Sequence, residues 1–140
     1  METNRTFALI KPGAVKNNHY GEIIHLITRD GFVIKAMKMV QLSRSDAQRF
    51  YAVHRGKEFF DRLTEFISSG PVVALVLEKE NAIENFRKLI GSTDPAKAEA
   101  GTIRKLFGET VTKNAVHGSD SPENALIEWS FFFAHKEILD

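Results

Sequence analysis

The chain has 140 residues and a mass of 15.8 kDa, which suits one domain, residues 1–140, around a single core. With 43% hydrophobic and 26% charged residues and a formal charge of +1, it has the composition of an ordinary globular protein and advertises neither a nucleic-acid nor a membrane surface. Cysteine is absent, which excludes disulfides and thiolate chemistry; no apolar run approaches the roughly twenty residues of a membrane span, Met1 to Ala8 is too polar for a secretory signal, and a cytoplasmic protein is expected.

Thr6 to Ile10 is a short apolar run that predicts a buried strand, stopped by Pro12 and Gly13 with Lys11 at its end. Between Tyr20 and Arg29, Ile23, Ile24 and Ile27 recur at helical spacing, and Gly31 closes the helix. Phe32 to Leu42 alternates imperfectly, yet its length and β-branched content predict a second strand. Ser43 and Asp46 carry the spacing of a helix cap ahead of Ala47, Phe50 and Tyr51. Two helical series overlap in Glu58 to Ser68 before Ser69, Gly70 and Pro71 break the pattern.

Val72 to Leu77 is continuously apolar and predicts a central strand covered on both faces. Asn81 is positioned to cap a helix running through Ile90, with Ile83, Phe86, Leu89 and Ile90 as its buried stripe and Arg87 on the flank. A loop from Gly91 to Gly101 precedes a short helix that Thr102 caps and that carries Arg104. Asn114 to Gly118 predicts a fourth strand, and Ser121, Pro122 and Glu123 open a helix reaching Phe132. The order β, α, β, α, α, β, α, β, α predicts an α+β sandwich with a four-stranded, mainly antiparallel sheet.

The glycines are too far apart for GxGxxG or Walker A spacing, so any phosphate site must be built from side chains. Lys11, Tyr51, Arg87, Thr93, Arg104 and Asn114 all fall at element ends or in loops, where cations and hydrogen-bond donors can converge. Taken singly, each basic residue also fits a solvated surface charge. The stretch Asn114 to Ser121 adds a histidine, His117, just ahead of a capped helix start. A neutral imidazole offers one lone-pair nitrogen for attack on phosphorus when the other nitrogen is held by a hydrogen bond. His19 follows two asparagines and reads as a surface residue, and His25 and His135 lie in apolar-periodic or terminal segments with no polar constellation, whereas His54 lies close to Tyr51 and Arg55 in sequence.

From Thr6 to Ile138 the chain resembles the nucleoside diphosphate kinases. The matching blocks are Thr6 to Pro12 with Gly13 and Val15, Tyr51, Phe59 to Phe60, Gly70 to Val73, Arg87 to Leu89, Gly91 to Pro95, Gly101 to Arg104 and above all Asn114 to Ser121. The resemblance implies a ferredoxin-like fold and a ping-pong exchange of the terminal phosphate between nucleoside triphosphates, mainly ATP, and diphosphates, which maintains NTP and dNTP pools. It implies His117 as the phosphorylated nucleophile, with Ser119 and Glu128 as a supporting pair behind it. By the same likeness Lys11, Tyr51, Arg87, Thr93, Arg104 and Asn114 hold phosphates or sugar, Lys11 and Asn114 taking the 3′-hydroxyl. Phe59, Leu63 and Val111 match an apolar clamp on the base, although the spacing of Phe59 and Leu63 suits a core stripe equally well.

Mg2+ is implied as the cofactor, carried on the nucleotide phosphates without direct protein ligands. A homo-oligomer is implied too, a tetramer or a hexamer, since the end at Asp140 resembles the shorter bacterial members. Glu58 stands where the family commonly has proline, Ala100 likewise, and Lys79 where glycine is common. Two other readings compete with the enzyme: a ferredoxin-like nucleotide sensor without turnover, and a nucleic-acid binder, against which the charge balance counts.

Overall fold

The computed structural model describes residues 4–140. Met1 to Thr3, part of the segment read against a secretory signal, lie outside the described residues. Strands β1 (Arg5–Ile10), β2 (Val33–Gln41), β3 (Pro71–Glu78) and β4 (Val116–Gly118) form one sheet in the order β2-β3-β1-β4. Every neighbouring pair is antiparallel. The continuous apolar runs at β1 and β3 are explained by their inner places, because each buries side chains on both faces. On one face Ala8, Ile10, Val73, Leu75 and Leu77 pack against Ile23 and Ile27 of α2 (Tyr20–Arg29) and against Phe86 and Ile90 of α5 (Ala82–Ile90). On the other, Phe7, Leu9, Val72, Ala74 and Val76 meet Ala47 of α3 (Arg44–Phe50), Phe60 and Ile67 of α4 (Phe60–Ile67), and Phe132 of α7 (Pro122–Phe132).

Several local expectations are corrected. Pro12 does not merely stop β1; it opens the short helix α1 (Pro12–Lys16), because its fixed φ suits the first helical position and no N–H is needed there. Helix α4 starts at Phe60 rather than Glu58, after a turn in which the Phe60 N–H donates to the Lys57 carbonyl at 3.1 Å. Asn81 precedes α5 in a left-handed conformation, φ 52°, and its side chain makes no capping bond. Strand β4 is shorter than Asn114 to Gly118, since Ala115 has a φ of 78° that extended pairing cannot accommodate. His19 packs its ring 4.7 Å from that of Phe107. Lys79 ties the turn before β2, donating to the Asp30 carbonyl at 2.6 Å and lying over the Phe32 ring.

The caps at Ser43, Thr102 and Ser121 form as expected, Thr102 opening α6 (Ile103–Phe107). Gly118 owes its identity to packing. A Cβ there would sit 2.8 Å from Cδ2 of Phe86 and 3.1 Å from Cδ1 of Ile90, so the strand beside the sheet's inner core lies flat on α5. Gly118→Ala is expected to cost about 1–3 kcal/mol through overpacking, read as a lower urea midpoint with an unchanged slope.

Candidate active site

His117 occupies the middle of β4, opposite Leu9 of β1. Its ring is boxed by the rings of Phe7, Phe50 and Tyr51 at centroid distances of 6.2, 6.0 and 6.2 Å. Phe7 and Phe50 escape sequence reasoning because an apolar residue in a periodic stripe looks like core, which these also are. The imidazole keeps 21% of its side-chain surface open and is approached from α7 by Glu128, at 18%. Ala125 and Phe132 define the buried stripe of α7, and Glu128 falls within that stripe one turn from each. The helix therefore delivers a carboxylate to the sheet where a periodic pattern would place an apolar residue.

Oε1 of Glu128 accepts from His117 Nε2 at 2.9 Å and from Ser119 Oγ at 2.6 Å. Because a carboxylate only accepts, this contact places the imidazole proton on Nε2 and leaves the lone pair on Nδ1. Ser119 is fully buried, and its backbone N–H donates to the Phe7 carbonyl at 3.2 Å, which locks the segment after β4 onto β1.

Two cations are buried beside this network. Lys11, 5% exposed, follows β1, and its Nζ donates to the Thr112 carbonyl at 3.4 Å. Burial, reinforced by the Arg104 guanidinium, pushes its pKa down to about 7. Arg104 donates from Nη1 to the Gly91 carbonyl and from Nη2 to the Val116 carbonyl, both at 2.9 Å. Its pKa is pushed down to about 10 by burial and by nearby Arg87. Gly91, at φ 88°, has room for no Cβ, which would lie 2.6 Å from Thr102 Oγ1. That turn aims its carbonyl at Arg104.

Tyr51 is buried, and desolvation followed by the Glu128 charge raises its phenol well above the usual range, so the hydroxyl stays a donor. Asn114 donates from Nδ2 to the Thr93 carbonyl at 3.0 Å, while its buried Oδ1 has no hydrogen-bond partner among the described residues. Arg87 is exposed at the rim, close enough to lower the pKa of Asp120, whose larger influence is the hydrogen bond from Asn124.

The expected surroundings of the base spread along α4 and the turn after α6. Phe59 lies immediately before α4, its ring 5.2 Å from that of His54, which in turn stacks on Tyr51 at 6.0 Å. His54 thus joins the site from the side of Phe59, and burial followed by Lys57 lowers its pKa. Val111 is 55% exposed and lines a cavity of about 710 Å³ together with Arg62, Phe66 and Thr112. Phe59 and Leu63 are not among that cavity's lining residues. The backbone carbonyls of Phe7, Gly91, Thr112 and Val116 are the functional groups sequence reasoning missed, since no residue type announces them.

A buried lysine and arginine, an imidazole with a fixed tautomer and an amide oxygen unpartnered among the described residues have the chemistry to take an anionic, hydroxyl-bearing ligand. The family model described as nucleoside diphosphate kinase matches residues 4–138. The chain belongs to the nucleoside diphosphate kinase family. It is 55% identical to the nucleoside diphosphate kinase of Flavobacterium psychrophilum over 98% of this chain and 99% of that one. The solved Aquifex aeolicus nucleoside diphosphate kinase superposes with a TM-score of 0.95 at 45% identity, covering 97% of this chain and 99% of that chain. A halophilic member from Halobacterium salinarum, solved in complex with CDP, gives 0.93 at 35% identity, covering 100% and 93%. The ferredoxin-like architecture implied by the sequence stands on these structures.

A polyphosphate reaching Lys11 would restore the charge that burial suppresses. Between the pKa of about 7 and that of the complex, the bound state holds more protons than the free state, so affinity falls as pH rises through this window. At pH 8, calorimetry of ADP binding in buffers of differing ionisation enthalpy is expected to show net proton uptake that Lys11→Met abolishes.

Proposed function

We infer that this chain, a nucleoside diphosphate kinase, passes the terminal phosphate of a nucleoside triphosphate, mainly ATP, to a nucleoside diphosphate through a phosphohistidine on His117. The observation that carries this is the shared carboxylate oxygen: Glu128 accepts a hydrogen bond from the Nε2–H, which holds the proton there and leaves the Nδ1 lone pair as the nucleophile. In the first half-reaction the Nδ1 lone pair forms a bond to the γ-phosphorus, and the bond to the bridging oxygen breaks, releasing the diphosphate. A second diphosphate then attacks the same phosphorus with a terminal β-phosphate oxygen, and the N–P bond breaks. No proton moves in either step. Glu128 faces the positive charge that develops on the imidazole, and Ser119 holds the carboxylate in place.

Lys11, Arg104 and the rim residue Arg87 supply positive charge for the phosphate oxygens, which carry the charge of a loose transition state. Thr93 and the donor hydroxyl of Tyr51 complete that shell. Asn114 Oδ1 lacks a partner among the described residues, which fits acceptance of the sugar 3′-hydroxyl beside the Lys11 ammonium. Phe59, Leu63 and Val111 would grip the base by its faces, a contact that reads a π-surface and discriminates little between bases. The cluster of cations repels a bare dication, so Mg2+ enters as part of the substrate, already neutralised by phosphate.

On this reading residues 1–140 work as one kinase domain that supplies NTP and dNTP pools in the cytoplasm. A homo-oligomer, tetramer or hexamer, follows from the family likeness. A sensor without turnover is not favoured, because a fixed tautomer with a free lone pair adds nothing to binding alone.

The test is to mix the protein with Mg2+ and γ-labelled ATP and isolate it. Wild type is expected to carry an acid-labile, base-stable label that passes to GDP. His117→Gln should carry none while melting as wild type; a collapsed transition would make the histidine structural. Arg87→Ala, exposed and remote from the core, is expected to lose about 2–4 kcal/mol of transition-state stabilisation, measured as kcat/KM, with an unchanged unfolding curve.

A further inference from the structure

Two walls face each other across the 710 Å³ cavity. One is α4, which presents Arg62 and Phe66 to it and carries Leu63 next to Arg62 in sequence. The other is the turn at Glu109–Lys113, in which Val111 and Thr112 are adjacent lining residues. That turn is closed on itself: the N–H groups of Glu109 and Thr110 donate to the Lys113 carbonyl at 2.8 and 3.3 Å, and the Lys113 N–H donates to Thr110 Oγ1 at 3.0 Å. It therefore shifts as a unit, and what fixes its distance from α4 fixes Val111. Arg62 Nε donates to Thr112 Oγ1 at 3.1 Å, joining residues 50 apart in sequence across the cavity.

We propose that Arg62 and Thr112 are positioning residues whose side-chain bond sets the gap between Leu63 and Val111, and hence the grip of the clamp on a nucleotide base. This rests on the reading of Phe59, Leu63 and Val111 as that clamp. Each strap residue is the chain neighbour of a clamp residue: Leu63 lies outside the cavity's lining, so the bond acts on it through the α4 backbone and on Val111 through the turn. Neither strap residue need touch the ligand. The Lys11 contact is separable from the strap: it uses the Thr112 backbone carbonyl, which a side-chain change at that position retains.

The experiment compares the affinities of ADP and of inorganic tripolyphosphate, which has phosphates and no base, by calorimetry on the full chain. Thr112→Val keeps the β-branched shape and removes the acceptor; Arg62→Leu removes the donor. Each is expected to weaken ADP binding about fivefold and to leave tripolyphosphate binding unchanged. Thr112→Ser restores the acceptor and should restore ADP affinity. The double variant should lose no more than either single one, since both remove the same bond. Unchanged ADP affinity in Thr112→Val overturns the proposal, as does an equal loss for both ligands, failure of the serine rescue, or additive losses in the double variant. Binding does not depend on turnover, so a missing phosphohistidine in the labelling experiment strikes the proposed function and leaves this test standing.

Discussion

Lys11 and Arg104 are both buried, the arginine close enough to depress the lysine's protonation, and neither makes an ion pair among the described residues. Burying like charges is expensive, because the interior offers little solvation and the two repel. The fold meets that cost with oriented backbone carbonyls: Gly91 and Val116 for the arginine, Thr112 for the lysine. Each carbonyl must be turned towards the site, and the unusual backbone collects where this is required. Gly91 adopts φ 88°, and Ala115, whose carbonyl accepts from the Lys11 N–H at 2.8 Å, adopts φ 78°. A non-glycine residue there costs of order 1 kcal/mol or more, which the fold supplies through the packing of β4 between β1 and α5. Groups held in this way need no rearrangement to meet an anion, Lys11 taking up a proton as one binds.

A second, softer arrangement runs from Phe59 to the His117 ring. The rings of Phe59, His54, Tyr51 and His117 follow one another at 5.2, 6.0 and 6.2 Å. Aromatic side chains have few rotatable bonds, so such a series holds its members in place at low entropic cost. Phe7 and Phe50 close the remaining sides of the imidazole. The His117 ring is thereby oriented by packing on its faces and by Glu128 at its edge.

How legible this is in the sequence depends on which physical signal each part emits. The inner strands declare themselves, since being covered on both faces demands continuous apolar runs at Thr6–Ile10 and Val72–Leu77. The caps at Ser43, Thr102 and Ser121 are readable because a hydroxyl three residues ahead of a free N–H is a local arrangement. Asn81 carries the same residue chemistry without the bond, for its left-handed backbone turns the side chain elsewhere, and composition cannot reveal a dihedral angle. Pro12 is ambiguous by nature, equally able to end a strand and to start a helix. At the site, His117, Ser119 and Glu128 are legible through family resemblance, and the glycine after His117 is explained only when Phe86 is seen against it. The carbonyls that hold the cations are silent in any sequence, as is the strap from Arg62 to Thr112.

Strand β1 is the hub of all this, paired with β3 on one side and β4 on the other, and it precedes both of them in the chain. Its Phe7 carbonyl waits for Ser119, 112 residues later. During synthesis an inner strand rich in apolar residues must therefore leave the ribosome long before its second neighbour exists, with one edge unpaired and one hydrophobic face incompletely covered. Contacts of such sequence separation also slow folding, because loop closure is costly before the reward arrives. The segment that closes the sheet is the one bearing His117, so the pairing of β4 with β1 and the seating of that imidazole against Phe7 are a single event, and a nascent chain without β4 has neither.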